Sequence, residues 1–180
     1  MTSDAENVGP ANAERVVTPV RTGIGYDCHR FAERRRLVLG GVELDHPRGL
    51  EGHSDADVLT HSIIDALLGA AALEDIGQHF PDTDERYRDA DSIALLRTTV
   101  AMLAERGLKV DHVDATVLIE RPAIAPARAA MRERLGEALG VAVTHINVKA
   151  TRGEGMGFVG SGEGVAALAV ATVSEASPGG

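Results

Sequence analysis

The chain has 180 residues, of which 44% are hydrophobic, so it is long enough for one compact domain with a core of its own. Its 27 acidic and 18 basic residues give a net charge of −9, which argues against nonspecific nucleic-acid binding. With one cysteine, no recognisable signal peptide and no long apolar span, the sequence predicts a cytoplasmic protein without disulfides that binds neither nucleic acid nor membrane.

Both ends of the chain are expected to be disordered. Residues 1–20 are polar and show no sustained hydrophobic period, and residues 175–180 have the composition of a frayed tail. A single folded domain is therefore predicted over residues 21–174.

The first part of this domain is predicted to contain a strand, a hairpin and a helix. The strand covers residues 21–31 (RTGIGYDCHRF), and a hairpin or bulge covers residues 37–44 around a Gly-Gly pair. Residues 54–73 give the clearest helix, for which Ser54 and Asp55 can act as N-caps.

The rest of the domain alternates between helices and strands. The predicted elements are a loop over 75–84, helices over 92–106 and 126–139, and strands over 113–120, 146–150 and 165–173. This interleaving predicts an α/β or α+β layer with helices packed on a mixed sheet.

Asp27 and His29 are the first candidates for chemistry. Residues two apart on a strand point to the same face, so this carboxylate and imidazole project together. The pair would make half of a metal site. A surface ion pair, or a cap at the end of the strand, is the alternative.

A second group lies on the predicted helix, where Asp57, His61 and Asp65 follow a spacing of four residues and share one stripe. The stripe could be a solvated face. Ile64 and Leu68 lie beside it, however, and a helix that is apolar around most of its circumference is usually covered on both sides. A covered histidine between carboxylates favours a metal ligand.

Together, Asp27, His29 and His61 would form a two-histidine, one-carboxylate site with a fourth position open. Open sites with three protein ligands suit catalytic zinc, and the same ligands suit iron(II) or manganese. His53 and Ser54, just before the helix, add donors at a helix N-terminus, where phosphate binds readily.

Two loops have less specific signals. Residues 146–164 (INVKATRGEGMGFVGSGEG) could cradle phosphate through backbone N–H groups, although turns also collect glycine for steric reasons. The loop over residues 75–84 offers carboxylates and hydroxyls that could bind a polyol, or it could be an ordinary polar loop.

Five motifs occur in order between residues 21 and 173: GIGYDCHRF, LVLGGVEL, GLEGHSDADVLTHSIIDALLGAAALEDIGQHFPDTD, ADSIALL and INVKAT followed by EGMGF and GEG. In this series the chain resembles the 2-C-methyl-D-erythritol 2,4-cyclodiphosphate synthase family of the non-mevalonate isoprenoid pathway. The resemblance implies an α+β fold with a mixed four-stranded sheet covered by helices on one side, a β-hairpin, and a homotrimer assembled around the sheets.

The resemblance also implies an activity. Members of the family are lyases that convert 4-diphosphocytidyl-2-C-methyl-D-erythritol 2-phosphate to 2-C-methyl-D-erythritol 2,4-cyclodiphosphate and CMP. The reaction is a metal-assisted intramolecular attack of the 2-phosphate on the β-phosphate. Zn²⁺, or another divalent transition metal, would be held by Asp27, His29 and His61. A second ion, Mg²⁺ or Mn²⁺, would be contacted by Glu154 together with the substrate diphosphate.

The remaining roles follow the family motif residue by residue, with each active site between two subunits. His53, Arg152 and Glu154 stand at catalytic positions. The implied substrate-binding residues are Asp27, His29, His53, Ser54, Asp75, Ile76, Gly77, Phe80, Asp82, Asp84, Pro122, Ala150, Thr151, Arg152, Glu154, Phe158 and Ser161.

The chain departs from the family pattern at three positions: Ala123 replaces a usual lysine, Arg152 a usual threonine and Ser161 a usual arginine. These departures favour an alternative function, a noncatalytic metal-containing trimer that binds a diphosphate or an isoprenoid. They do not touch the predicted metal ligands.

Overall fold

The computed structural model describes residues 19–176, so most of the two predicted tails, residues 1–18 and 177–180, lies outside the described residues. The strands and helices are β1 (Val20–Glu33), β2 (Leu37–Leu39), β3 (Val42–Leu44), β4 (Arg48–Leu50), α1 (Val58–Ala70), α2 (Ile76–His79), α3 (Ser92–Glu105), β5 (Leu108–Leu118), α4 (Arg128–Leu139), β6 (Ile146–Thr151), α5 (Gly157–Gly160) and β7 (Gly164–Glu175). Two 3₁₀ turns cover Glu85–Tyr87 and Val143–His145.

The main sheet has five strands in the order β4-β1-β7-β5-β6, and β2 and β3 form a separate hairpin. Only the pairing of β5 with β6 is parallel, so the predicted mixed sheet and hairpin are confirmed. The predicted number of four strands is wrong. The added edge strand is β4, which pairs Leu50 with Phe31 near the end of β1. With three residues, β4 is too short to show a period of two in the sequence.

Helix α1 lies directly against the sheet, mainly on β1 and β7. Its approach to β1 is close because Gly23 and Gly25 face it: a Cβ atom at either position would overlap a carbonyl oxygen of α1, that of Ala66 or that of Ser62. Gly25 therefore lets the helix approach the strand next to the predicted metal ligands.

The N-terminus of α1 differs from the prediction, because the N-cap is Asp57 rather than Ser54 or Asp55. Ser54 and Asp55 instead accept hydrogen bonds from backbone N–H groups two residues further along, those of Ala56 and Asp57. These local turns precede the helix, so residues 54–57 form a loop. Capping residues in succession made the boundary ambiguous in the sequence.

Other boundaries shift by a few residues. The predicted loop over 75–84 contains the short helix α2, which is N-capped by Asp75. Helix α3 is N-capped by Asp91, and α4 is followed by Gly140 in the left-handed conformation, as a terminal glycine predicts. Within residues 19–176, no helix is both long and apolar enough to span a bilayer.

The two faces of the sheet differ in cover. On β7, Val165, Ala167 and Ala169 are buried beneath the helices. Leu168 and Val170 point to the opposite face and are exposed. They pair with Tyr26 and Ile24 of β1, which are 51% and 70% exposed. We call these four side chains (Ile24, Tyr26, Leu168 and Val170) the outer patch. It is a contiguous apolar surface on the face away from the helices.

Candidate functional site

Three side chains converge where β1 passes α1. Asp27 and His29 lie on the same face of β1 as Gly25, and His61 projects towards them from α1. The Asp27 Oδ2 atom lies 3.0 Å from His29 Nε2 and 3.0 Å from His61 Nδ1, while the two imidazole nitrogens are 3.4 Å apart. The structure thus brings together the three predicted metal ligands, which we call the triad.

The electrostatics of the triad reflect this proximity. Burial alone would raise the pKa of Asp27, but hydrogen bonds from His29 and His61 and their charges outweigh it, so the pKa lies well below its usual value. Burial alone would lower the pKa of His29, yet its hydrogen bond to Asp27 and the negative charge there raise it. The site therefore favours the ionised form of the Asp27 carboxylate.

The donor atoms of the triad fit a divalent metal ion. One atom from each side chain lies within 4.8 Å of the other two, and two imidazoles with one carboxylate are ligands suited to zinc, iron(II) or manganese. No other histidine, cysteine, aspartate or glutamate in the described region joins this cluster. Asp57 and Asp65, predicted to flank His61 on the helix, are not part of it.

Asp57 has a structural position instead. Its buried carboxylate accepts hydrogen bonds from the N–H groups of Gly40 (2.9 Å), Gly41 (2.7 Å) and Thr60 (3.0 Å), and from the Thr60 hydroxyl (2.7 Å). It joins the β2–β3 turn to the start of α1. The sequence placed Asp57 on the same stripe as His61 because it predicted a helix that begins before residue 57. In the structure Asp57 is the N-cap, so the spacing of four residues does not apply to it.

Asp65 lies further along α1 and holds the start of α2. Its Oδ1 atom accepts a hydrogen bond from the N–H group of Ile76 at 2.8 Å. Burial raises the pKa of Asp65, and the charges of Asp75 and Asp27 act in the same direction. Asp65 therefore fixes the position of the segment that follows Asp75 relative to the triad.

The triad opens into a cavity of about 430 Å³. Two loops complete its wall, the one before α1 and the one around α2. Of the predicted substrate-binding residues outside the triad, the cavity is lined by His53, Ser54, Ile76, Gly77, Phe80 and Asp82. We call this space the triad cavity.

Asp75 and Asp84 were predicted to bind substrate but are engaged in local contacts. The Asp75 carboxylate accepts the N–H group of Gln78 at the start of α2. The half-buried Asp84 carboxylate pairs with Arg86, whose hydrogen bonds lower the pKa of Asp84. The Asp84 backbone carbonyl, however, lies 3.0 Å from His53 Nε2, so this loop contacts a residue of the cavity wall.

Arg35 holds the loop that carries His53 and Ser54. Its guanidinium donates to the carbonyl oxygens of Leu50, Gly52 and Ser54 and pairs with Asp89 at 3.1 Å. A half-buried arginine with these four acceptors fixes the path of the chain before α1. Nothing in the sequence pattern identified it, since Arg35 is the middle one of three consecutive arginines and its partners are mainly backbone carbonyl groups distant in sequence.

A second cavity, of about 550 Å³, lies at the C-terminal ends of β5 and β6. Four predicted substrate-binding residues line it: Pro122, Ala150, Thr151 and Arg152. None of these residues lines the triad cavity. We call this space the β6 cavity. Within one chain the two halves of the predicted site are therefore separate.

Besides Asp75 and Asp84, three predicted residues line neither cavity: Glu154, Phe158 and Ser161. Glu154 is exposed and its Oε1 atom lies 3.0 Å from Arg152 Nη2. Phe158 lines a smaller cavity of about 300 Å³ with His29 and Arg30. The Ser161 hydroxyl donates to Glu163 at 2.7 Å. Within a single chain, Glu154 thus lies outside both the triad and the lining of the triad cavity.

Known proteins are similar to this chain over nearly all of its described residues. The family described as the YgbB family matches residues 20–174. A 2-C-methyl-D-erythritol 2,4-cyclodiphosphate synthase from Alkaliphilus metalliredigens is 53% identical over 156 residues, which cover 87% of this chain and 98% of that protein.

A longer relative is the bifunctional enzyme IspD/IspF of Anaeromyxobacter dehalogenans, which is 56% identical over 173 residues. The match covers 94% of this chain but 45% of that enzyme, so the chain spans about half the length of this relative. Among solved structures, that of a 2C-methyl-D-erythritol-2,4-cyclodiphosphate synthase in its CDP-bound form has a TM-score of 0.78 and 35% identity. That match covers 85% of this chain and 99% of the solved one.

Proposed function

Because the chain belongs to the YgbB family, in agreement with the resemblance of its motifs, we propose that it is a 2-C-methyl-D-erythritol 2,4-cyclodiphosphate synthase. It converts 4-diphosphocytidyl-2-C-methyl-D-erythritol 2-phosphate to the cyclic diphosphate and CMP. The observation that carries the proposal is the convergence of Asp27, His29 and His61 in one cavity with His53 and Ser54.

The reaction is an intramolecular phosphoryl transfer. An oxygen of the 2-phosphate forms a bond to the β-phosphorus, and the bond from that phosphorus to the bridging oxygen breaks, so CMP leaves with the electron pair. Such a transfer needs alignment and charge stabilisation more than covalent help from the protein.

The triad would hold Zn²⁺, and Glu154 would contact Mg²⁺ or Mn²⁺ bound to the substrate diphosphate. When bound, these cations neutralise charge on the phosphate oxygens and so make the β-phosphorus a better electrophile. This arrangement allows an acidic protein, of net charge −9, to bind a polyanion.

The walls of the triad cavity supply positioning. The Ser54 hydroxyl and the His53 imidazole face the cavity from the loop before α1, where they can donate to the attacking phosphate. Ile76 and Gly77 lie on the opposite wall, at the start of α2. In this proposal their segment, with Asp75, binds the hydroxyls of the erythritol chain.

Phe80, Asp82 and Asp84 belong to the loop that would cover the substrate. The aromatic ring of Phe80 packs edge-on against Tyr87, with ring centroids 5.4 Å apart, and both rings line the cavity. This contact closes one side of the cavity with apolar surface. In this proposal the apolar cover excludes water from the bound substrate, which strengthens the electrostatic interactions there.

The β6 cavity is the proposed nucleotide side. Pro122, Ala150 and Thr151 offer a mostly apolar wall for a base and ribose, and Arg152 adds a permanent positive charge. Since this cavity is separate from the triad cavity within one chain, we infer that a complete site forms between two copies in a homotrimer. The outer patch supports this inference, because contiguous apolar surface on a sheet face is typical of an interface.

Phe158 and Ser161 follow Arg152 in the same glycine-rich loop. Phe158 is exposed and lines a small cavity with Arg30 and Glu163. In the homotrimer these two residues would lie near the threefold axis. The proposed location of the assembly is the cytoplasm.

A noncatalytic trimer that binds a diphosphate or an isoprenoid is the second candidate. Three residues favour it: Ala123 and Arg152 in the β6 cavity, and Ser161, each of which differs from the residue usual in the resembled family. Several relatives more than half identical to this chain are named as synthases, which favours catalysis.

One assay separates these candidates. Purified protein is incubated with the cytidine diphosphate substrate, and phosphorus NMR follows the products with and without a chelator. Cyclic diphosphate and CMP in equal amounts support the synthase. A metal-loaded protein that binds CDP but releases no CMP supports the second candidate.

A mixing experiment tests the site between subunits. His61→Ala removes a triad ligand and Glu154→Gln removes the proposed ligand of the second ion, so each variant alone is expected to be inactive. After the two variants are unfolded together and refolded, mixed trimers would contain some sites with both residues intact. Recovered activity supports sites between subunits, and none after mixed trimers have formed contradicts them.

A further inference from the structure

On the side away from the rest of the triad, the His61 imidazole is held by two hydrogen-bonded side chains, Ser92 and Asp55, which the proposed reaction does not use. We call these two side chains the relay. The Ser92 Oγ atom lies 2.8 Å from His61 Nε2, the imidazole nitrogen that points away from the triad. Ser92 also contacts Asp55, both through its hydroxyl and through its backbone N–H at 3.0 Å. Ser92 is fully buried, so solvent does not compete for these contacts.

The hydrogen-bond donors and acceptors of the relay can be assigned one after another. The Ser92 hydroxyl has one proton, and its nearest acceptor is the Asp55 Oδ1 atom. Towards His61 the hydroxyl oxygen therefore presents a lone pair. His61 Nε2 must then carry a proton and donate it to Ser92, which leaves His61 Nδ1 to face Asp27 and His29.

We propose that Asp55 and Ser92 are positioning residues that fix His61 as a metal ligand through Nδ1. They set the plane of the ring and place the proton on Nε2, so that the Nδ1 lone pair is directed into the triad. The proposal rests on the metal site of the proposed function.

The arrangement agrees with the remaining contacts of the site. Ser54 Oγ lies 3.2 Å from the same His61 nitrogen and accepts the N–H group of Ala56, so it can share the Nε2 proton. Because this leaves the Ser54 hydroxyl proton free, it can be donated into the triad cavity. The Asp55 carboxylate also fixes Ser92 at the first turn of α3, so the relay links α1 to α3 behind the site.

Zinc affinity is the first readout of the test. Chelator competition measures the free zinc concentration at half saturation for the unmodified chain, for Ser92→Ala and for Asp55→Asn. Loss of a partner behind a ligating histidine typically weakens metal binding by about 10–100-fold. Ser92→Ala is expected to fall in this range. Asp55→Asn should show a smaller loss of zinc affinity than Ser92→Ala. The amide keeps one acceptor oxygen, so it can still accept from one of the two Ser92 groups that donate to Asp55.

Ser62→Ala is the matched control. Ser62 is a fully buried serine next to His61, but its hydroxyl donates to the Leu59 carbonyl and does not touch the imidazole. Its zinc affinity should stay within about twofold of the unmodified chain, well under the loss expected for a ligand's partner. Circular dichroism and thermal melting establish that each variant is folded.

Proton exchange of the His61 imidazole is the second readout. In the zinc-loaded chain, NMR should detect a His61 Nε2–H proton that exchanges slowly with water, and Ser92→Ala should speed that exchange. If the unmodified chain binds no zinc, the metal site and the relay are both wrong. If it binds zinc but Ser92→Ala binds it equally well, or if His61 Nε2 proves to be the ligand atom, the relay alone is overturned.

Discussion

The carbonyl oxygen of Ser62 on α1 occupies the space that a Cβ atom on Gly25 of β1 would need. The distance between helix and strand is therefore set by a residue without a side chain, two positions before Asp27. His61, the residue before Ser62, reaches across this gap to Asp27 and His29. The geometry of the triad therefore depends on the distance between helix and strand.

Gly25→Ala is expected to force α1 away from β1. Overpacking of this kind typically costs about 1–3 kcal/mol, and the obstacle here is backbone, which cannot rotate away. We expect a lower free energy of unfolding in urea and a loss of zinc affinity. Gly69→Ala is the control: a Cβ there has only ordinary contacts, and alanine is the better helix former. Zinc affinity unchanged in Gly25→Ala would contradict this account.

Removal of a triad ligand should remove the metal. His61→Ala is expected to bind less than a tenth as much zinc as the unmodified chain after dialysis, by elemental analysis, and to release no CMP. His145→Ala should retain both, because that imidazole contacts only the backbone carbonyl of Asp111 among the described residues. Undiminished zinc in His61→Ala would mean that the ion is held elsewhere.

Replacement of Asp57 should affect stability before chemistry. Asp57→Ala removes a buried acceptor of four hydrogen bonds and leaves the N–H groups of Gly40, Gly41 and Thr60 without it. Loss of an N-cap costs about 1 kcal/mol, and each buried group left unpaired about 1–3 kcal/mol more, so about 3 kcal/mol or more is expected from urea unfolding.

Two variants calibrate this result. Asp57→Asn keeps one acceptor oxygen and should lose less stability than Asp57→Ala. Asp91→Ala removes an exposed N-cap, that of α3, and should cost about 1 kcal/mol. Equal losses for Asp57→Ala and Asp91→Ala would show that the bonds to the hairpin turn contribute little.

Arg152 should contribute to binding of the substrate diphosphate. A charge-assisted hydrogen bond is worth about 1.5–3 kcal/mol, so Arg152→Met should lower kcat/KM by about 10–100-fold, chiefly through KM. Lys149→Met, on the strand that leads to Arg152, is the control, because Lys149 pairs with Asp114 at 2.6 Å. Full activity of Arg152→Met would mean that the cation has no role, and a rise would identify Arg152 as an obstacle to the nucleotide.

The sequence predicted most elements because their signals are local. The alternation along β1 placed Asp27 and His29 on one face, and the apolar circumference of α1 indicated that His61 was covered. Ser92 was seen only as the start of a helix, since its contact with His61 joins residues 31 positions apart. Asp57 was misplaced because its partners, Gly40 and Gly41, lie on a hairpin that only the fold brings near.

The outer patch has a thermodynamic consequence. The exposed parts of Ile24, Tyr26, Leu168 and Val170 add nothing to the hydrophobic free energy of an isolated chain, because water still covers that surface. If copies of the chain assemble through this surface, that part of the stability appears only at concentrations where they meet. The melting temperature would then rise with protein concentration, and a dilute sample would measure a different molecular state from a concentrated one.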